Sequence, residues 1–145
     1  MVQNKDLQLA SDLRTVVTRL VKKLRKESVT GQQLSLTERS TMSLLYQHKQ
    51  LLPNELASME KITNQSMSQI LNHLFELGYI SRTASDIDKR KVIISLTEEG
   101  EKTLLLMRSE RDMWLARAIR ETCTNEEEAL LKQVIGALTK LVDFE

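Results

Sequence analysis

The stretch from Thr63 to Thr97, TNQSMSQILNHLFELGYISRTASDIDKRKVIISLT, constrains this chain more than any other. It predicts one helix, a glycine break, a short strand, a charged loop and a second strand. Met67, Ile70, Leu71, Leu74 and Leu77 recur at three- and four-residue steps, which makes one apolar helix face. Asn64, Gln65, Ser68, Gln69, Asn72, His73 and Glu76 lie largely on the other faces. Thr63 can cap the amino end, because its hydroxyl accepts from an orphan amide of the first turn. Gly78 can take the left-handed conformation that ends a helix. Tyr79 to Thr83 and Lys91 to Leu96 are β-prone, and Val92, Ile94 and Leu96 alternate with Ile93 and Ser95 as in a half-buried strand. The intervening ASDIDKR has no glycine and is too long for a two-residue turn. A helix faced with amides suits a major groove, and a hairpin tipped by Lys89, Arg90 and Lys91 can reach the backbone or the minor groove.

A second helix precedes this unit. Pro53 stands where proline is tolerated, at a first helical turn. PNELASME then makes a short helix with Leu56, Ala57 and Met59 expected inward, and Lys61-Ile62 make the turn. The pair is a helix-turn-helix whose second member would be the reader. Many helix pairs with short turns bind nothing; the attached hairpin is what favours DNA here. Asp88 beside Arg90 is either a solvated charge run or an acid that orients its arginine.

Asp88-x-Arg90, followed by Leu96-Thr97 and Gly100, resembles the wing signature of the MarR-type winged-helix transcription regulators. Leu74, Gly78, Tyr79-Ile80 and Arg82 match the helix-to-strand part of the same pattern. The resemblance extends over almost the whole chain. It implies a mainly α fold with a small β-hairpin wing (α+β), a winged helix-turn-helix with amino- and carboxyl-terminal dimerisation helices. It implies one domain over residues 1–145, with 35–100 as the DNA-binding region and 1–30 and 101–145 as the helical dimerisation region. The implied function is that of a cytoplasmic homodimeric transcription regulator, expected to be a repressor, on a palindromic operator in double-stranded DNA. A small aromatic effector would bind between the helical region and the winged helix.

The residues expected at DNA are Asn64, Gln65, Ser66, Ser68, Gln69, Asn72 and His73 from the helix, with Arg82, Asp88, Lys89, Arg90 and Lys91 from the hairpin. By the resemblance, Arg90 enters or borders the minor groove. Arg82, Lys89 and Lys91 would be phosphate partners, which position a protein without reading sequence. Leu13, Val17, Tyr46, His48 and Trp114 are the candidates for an effector site, and apolar core is their default role. The chain departs from the family pattern where Arg or Lys is common and it has Gln69 and His73, and where Glu is common and it has Phe75. With no Arg or Lys between Thr63 and Leu77, base reading falls to Asn and Gln, which pair best with adenine, so an A·T-rich half-site is expected. Four wing and strand cations per subunit would cap the salt slope of binding near about −7.

The flanking segments are helical. Leu9, Leu13, Val16, Val17, Leu20, Val21 and Leu24 form a stripe that predicts a long helix ending near Glu27, with cations Lys22 to Lys26 at its negative end. Ser35-x-x-Glu38 is a capping box for a helix over 37–48 that packs through Met42, Leu44, Leu45 and Tyr46. Gln50 to Leu52 is expected to add a small strand to the hairpin. Thr97 opens a long helix, and Thr124-x-x-Glu127 caps a last one with Leu130, Leu131, Val134, Ile135, Leu138, Leu141 and Val142 at helical spacing. These terminal helices carry more apolar surface than a small winged helix can bury. A two-fold dimer is the simple solution, and the carboxyl-terminal helices are also expected to carry much of the core.

Composition excludes several classes. A net charge of +1 does not itself indicate nucleic acid; the distribution of the charges says more. One cysteine, Cys123, allows no internal disulfide, fits a reducing cytoplasm and is expected to be packed or inert rather than redox-sensing. No apolar run approaches a membrane span. No phosphate loop, dinucleotide glycine pattern or nucleophile elbow is present, so neither a cofactor nor an enzyme is expected. His48 and His73 fall on different predicted helices without Cys or carboxylate at metal spacing, so no metal is expected. The competing function is a winged helix that makes protein contacts and binds no DNA.

Overall fold

A computed structural model describes residues 1–145. In chain order it has α1 (Asn4–Glu27), α2 (Leu36–His48), α3 (Pro53–Glu60), α4 (Asn64–Glu76), β1 (Ile80–Ala84), β2 (Val92–Leu96), α5 (Glu98–Thr122) and α6 (Asn125–Val142). The sequence caps are in place. Ser35 Oγ accepts from the Glu38 amide at 3.1 Å while Glu38 accepts from the Ser35 amide at 2.8 Å. Thr124 and Glu127 repeat the exchange at the start of α6. Thr63 and Thr97 cap α4 and α5 through the amides of Ser66 and Gly100, both at 3.0 Å. Each such bond satisfies a donor that a helix start leaves unpaired, at about 1 kcal/mol apiece.

The strands pair antiparallel in the register Ile80 to Leu96, Arg82 to Ile94 and Ala84 to Val92. Directly paired residues share a face, so Val92, Ile94 and Leu96 do lie on one side, as the alternation predicts. Burial runs only at the base of the hairpin: Ile80 and Ile94 are buried, whereas Val92, nearer the tip, is exposed. Leu51 pairs with Ile94 on the free edge of β2, so the expected small strand is a single bridge.

The core lies between α2, α3, α4, the hairpin and the first half of α5. Met42, Leu56, Met67, Leu74, Leu104 and Met107 are wholly inaccessible. Gly100 brings α5 against the hairpin base: a Cβ there would stand 2.0 Å from the Tyr79 carbonyl oxygen. Gly78 ends α4 with φ +81°, a conformation that only glycine adopts without strain.

Two expectations fail. Met59 is 44% exposed rather than inward, because the eight-residue α3 turns only Leu56 and Ala57 to the core. The carboxyl-terminal helices do not carry much of the core: α6, like α1, has no buried residue, and α5 contributes only Gly100, Leu104 and Met107. The winged helix closes its own core by Met107, and the rest of the chain projects beyond it. One buried cation escaped the sequence reading. Arg39 is 3% exposed and donates to the Gly31 carbonyl at 2.5 Å.

Candidate nucleic-acid interface

The helix pair and the hairpin together form one concave surface. Leu52, Pro53 and Asn54 at the start of α3, Asn64 and Ser68 on α4, and Arg90, Lys91 and Val92 on the wing line a hollow of about 370 Å³. Gln65, Ser68, Gln69, Asn72 and Glu76 follow as a solvent-facing stripe along α4, opposite the buried Met67, Leu71 and Leu74. Ser66 is also exposed, but its amide and hydroxyl are both engaged with Thr63 at the cap. Of the six helices only α4 has no acid in its first turn. Its positive dipole end is therefore not neutralised by the chain itself.

At the wing tip the acid does orient its arginine. Asp88 accepts from Arg90 Nε at 3.2 Å, from Arg90 Nη2 at 3.3 Å and from the Arg90 amide at 3.1 Å. Arg90 holds the Asp88 carboxyl below its ordinary range through those bonds. The Arg90 side chain is 91% exposed, so the pairing aims it without covering it. Lys89 and Lys91 flank it in solvent. Ile87, which the sequence reading passed over, stands at the same tip and is 99% exposed.

Besides Ser66, two of the expected DNA residues are engaged elsewhere. His73 is half-buried, and its Nδ1 meets the Glu38 carboxylate of α2. Burial works to raise the Glu38 carboxyl, but the bonds from Ser35 and His73 outweigh it and leave it below the usual range. His73 thus ties α4 to α2. The Arg82 side chain turns from the wing to α4. Its Nη2 donates to Asn72 Oδ1 at 2.6 Å, and its guanidinium lies 4.8 Å from the centre of the Phe75 ring. A signal for this was present in the sequence: Arg82 is two residues past Ile80, so it points to the core face of β1 and its long stem runs along α4.

None of the effector candidates is fully buried, and of the five only Tyr46 packs against the core. Leu13, Tyr46 and Trp114 are half-buried, and Val17 and His48 are exposed, because α1 buries none of its stripe and His48 ends α2 at the surface. Tyr46 lies beneath Lys49 and Arg108, with its ring centroid 5.1 and 5.2 Å from the two cations. Trp114 faces Lys23 at 5.6 Å. Arg108 and Trp114 are six residues apart on α5, about 120° around the helix, so the two aromatics lie against different faces of it.

Known proteins agree with this architecture. Residues 19–105 match the family model of the transcriptional regulators SarA/Rot. The chain is 30% identical over 138 residues to an HTH-type transcriptional regulator of Mycobacterium tuberculosis, covering 95% of each. The crystal structure of a Pseudomonas aeruginosa protein assigned as a transcriptional regulator superposes with a TM-score of 0.84 at 32% identity, over 99% of this chain and 100% of that one. A single-residue mutant of MarR from E. coli, complexed with operator DNA, superposes with a TM-score of 0.67 over 93% of this chain and 96% of that one. At 17% identity that likeness shows a shared fold. The chain belongs to the SarA/Rot family of transcriptional regulators, has the winged helix-turn-helix fold of the MarR type, and is no enzyme.

Proposed function

We propose that the protein is a cytoplasmic homodimeric repressor that binds a palindromic, A·T-rich operator in double-stranded DNA. The observation that carries this reading is the joint hollow of α3, α4 and the wing, where Asn64 and Ser68 stand beside Arg90 and Lys91. Amide-bearing side chains suit base edges, and cations on a flanking hairpin suit the backbone or the minor groove. A like-folded regulator, E. coli MarR, was solved on its operator. In the DNA-binding region of residues 35–100, Asn64, Gln65, Ser68, Gln69 and Asn72 would face the major groove, and Lys89, Arg90 and Lys91 the backbone and minor groove.

The dimer is supported by apolar surface that one chain leaves open. Val16 of α1, Met113 of α5 and Leu130 and Val142 of α6 are all largely exposed, on the segments 1–30 and 101–145. Exposed apolar area of that extent is normally covered by a partner, and a two-fold partner would place a second recognition helix for a second half-site. Release by a small aromatic ligand belongs to the same reading. Its support is Tyr46, an aromatic ring beneath two cations where α2 meets α5.

Mobility shift on the protein's own upstream region, against excess unrelated DNA, tests the whole. A retained complex that footprints as two symmetric half-sites is the expected result. Binding erased by unrelated DNA would favour a winged helix used for protein contacts. Repeating the footprint with phenols and aromatic acids tests the effector.

A further inference from the structure

Arg82 was expected at phosphate, but it spends its best donor on a neighbour's amide. We infer that Arg82 is a specificity-determining residue: it latches the Asn72 side chain into one orientation and thereby sets which base edge Asn72 takes. The inference rests on α4 being the helix that reads DNA. Three observations carry it. The Arg82 Nη2 to Asn72 Oδ1 bond is 2.6 Å. The guanidinium lies over the Phe75 ring, 4.8 Å from its centre. The β register pairs Arg82 with Ile94, which puts its stem on the core face of the hairpin and away from the wing tip.

The chemistry follows from the donor inventory. A guanidinium has five N–H donors and no acceptor, so only the carbonyl end of an asparagine can face it. The amide is therefore held with Oδ1 toward β1 and Nδ2 turned away from Arg82. An unrestrained asparagine turns over freely, and reads adenine by accepting from N6 while donating to N7. Asn72 instead comes to the groove as a held donor. Its target is an acceptor edge: N7 of a purine, O6 of guanine or O4 of thymine. Phe75 and Asn72 are three residues apart and lie on adjoining faces of α4, so one β1 side chain engages both.

The test measures relative affinity for all four bases at each half-site position, using sites selected from random DNA. The proteins are the full-length wild type, Asn72→Ala, Arg82→Ala, the double variant and Phe75→Leu, with melting and sedimentation as controls. Asn72→Ala and Arg82→Ala should flatten discrimination at the same single position by about fivefold or more, with the double variant no flatter than either. Phe75→Leu, which keeps bulk but loses the ring face, should flatten that position less. The salt slope of Arg82→Ala should equal that of wild type. In the DNA-free protein, the Asn72 side-chain amide resonances should move in Arg82→Ala and stay in Lys89→Ala. An Arg82→Ala dimer with base preference intact and a slope shallower by about 1.8 would make Arg82 a phosphate anchor and overturn the latch. Additive effects of Asn72→Ala and Arg82→Ala, or unmoved amide resonances, would overturn it too. A wild type with no base preference at any position would overturn the reading of α4 as well, which separates the two failures.

Discussion

Arg90 and Gly100 show two ways in which one side chain, or its absence, decides an outcome. Arg90 is aimed by Asp88 and is otherwise in solvent, so its removal leaves the fold alone. Arg90→Ala should weaken operator binding by about 1–3 kcal/mol with melting unchanged. Lys89→Ala should cost less and weaken all sequences alike, since it would contact only phosphate. Titration of labelled operator and non-operator DNA checks both. Gly100 acts through packing. A methyl there meets backbone oxygen, which cannot step aside, so Gly100→Ala should destabilise the fold by about 1–3 kcal/mol in denaturant titration. At Gly31 the corresponding clash is with the buried Met107 side chain, which can repack where backbone cannot, and Gly31→Ala should cost less.

Elements are tied together by a few polar bonds that no periodicity reveals. The loop after α1 is fastened to α5 by Glu110, which takes hydrogen bonds from Ser28 Oγ at 3.2 Å, from the Thr30 amide at 3.2 Å and from the Thr30 hydroxyl. The Thr30 hydroxyl first, and then the backbone and Ser28 donors, hold the Glu110 carboxyl below its ordinary range against the opposing effect of burial. A carboxyl depressed in the folded state stabilises fully above its unfolded pKa and loses that contribution as pH falls through the folded one. The stabilisation should thus be complete at neutral pH and decline only below about 4.3, the usual glutamate value. Glu110→Gln should lower stability at pH 7 by about 1 kcal/mol, after allowance for solvent screening, and flatten the acid limb of a melting-temperature profile. An unchanged acid limb in the variant would show that the loop is held by other contacts.

Across the whole molecule, the division between a closed core and projecting helices governs behaviour. Because α6 buries nothing within its own chain, deleting residues from Thr124 onward should leave a folded winged helix with near-native helical signal per residue. The same deletion should abolish or weaken the proposed dimer, as read by sedimentation. A truncated chain that still sediments as a dimer would place the interface on α1 and α5 alone. With Arg82 held against α4, three wing-tip cations per subunit remain, Lys89, Arg90 and Lys91, and they would cap the salt slope of operator binding near about −5 rather than −7. Gln69→Ala should leave that slope unchanged and relax base preference at one position per half-site, whereas Lys89→Ala should do the opposite.

The sequence alone determined the helices, their caps and the hairpin, because those depend on residues within three or four places of one another. Ser35-x-x-Glu38, Thr124-x-x-Glu127, Thr63, Thr97 and Gly78 each mark a boundary that the structure keeps. The wing's Asp88–Arg90 pairing was legible for the same reason, two residues apart and matching a known signature. Only the tertiary structure decided where the long polar side chains end. Arg82 reaches ten residues back to Asn72, His73 reaches thirty-five back to Glu38, and Glu110 reaches eighty to Thr30. Such partners are chosen by which faces the core turns together, and residue spacing carries no record of that. The same holds for the apolar stripes of α1 and α6. Periodicity marks a face as one to be buried, but whether the chain itself covers it is settled by how soon the core closes; here it closes at Met107 and leaves both stripes uncovered within the chain.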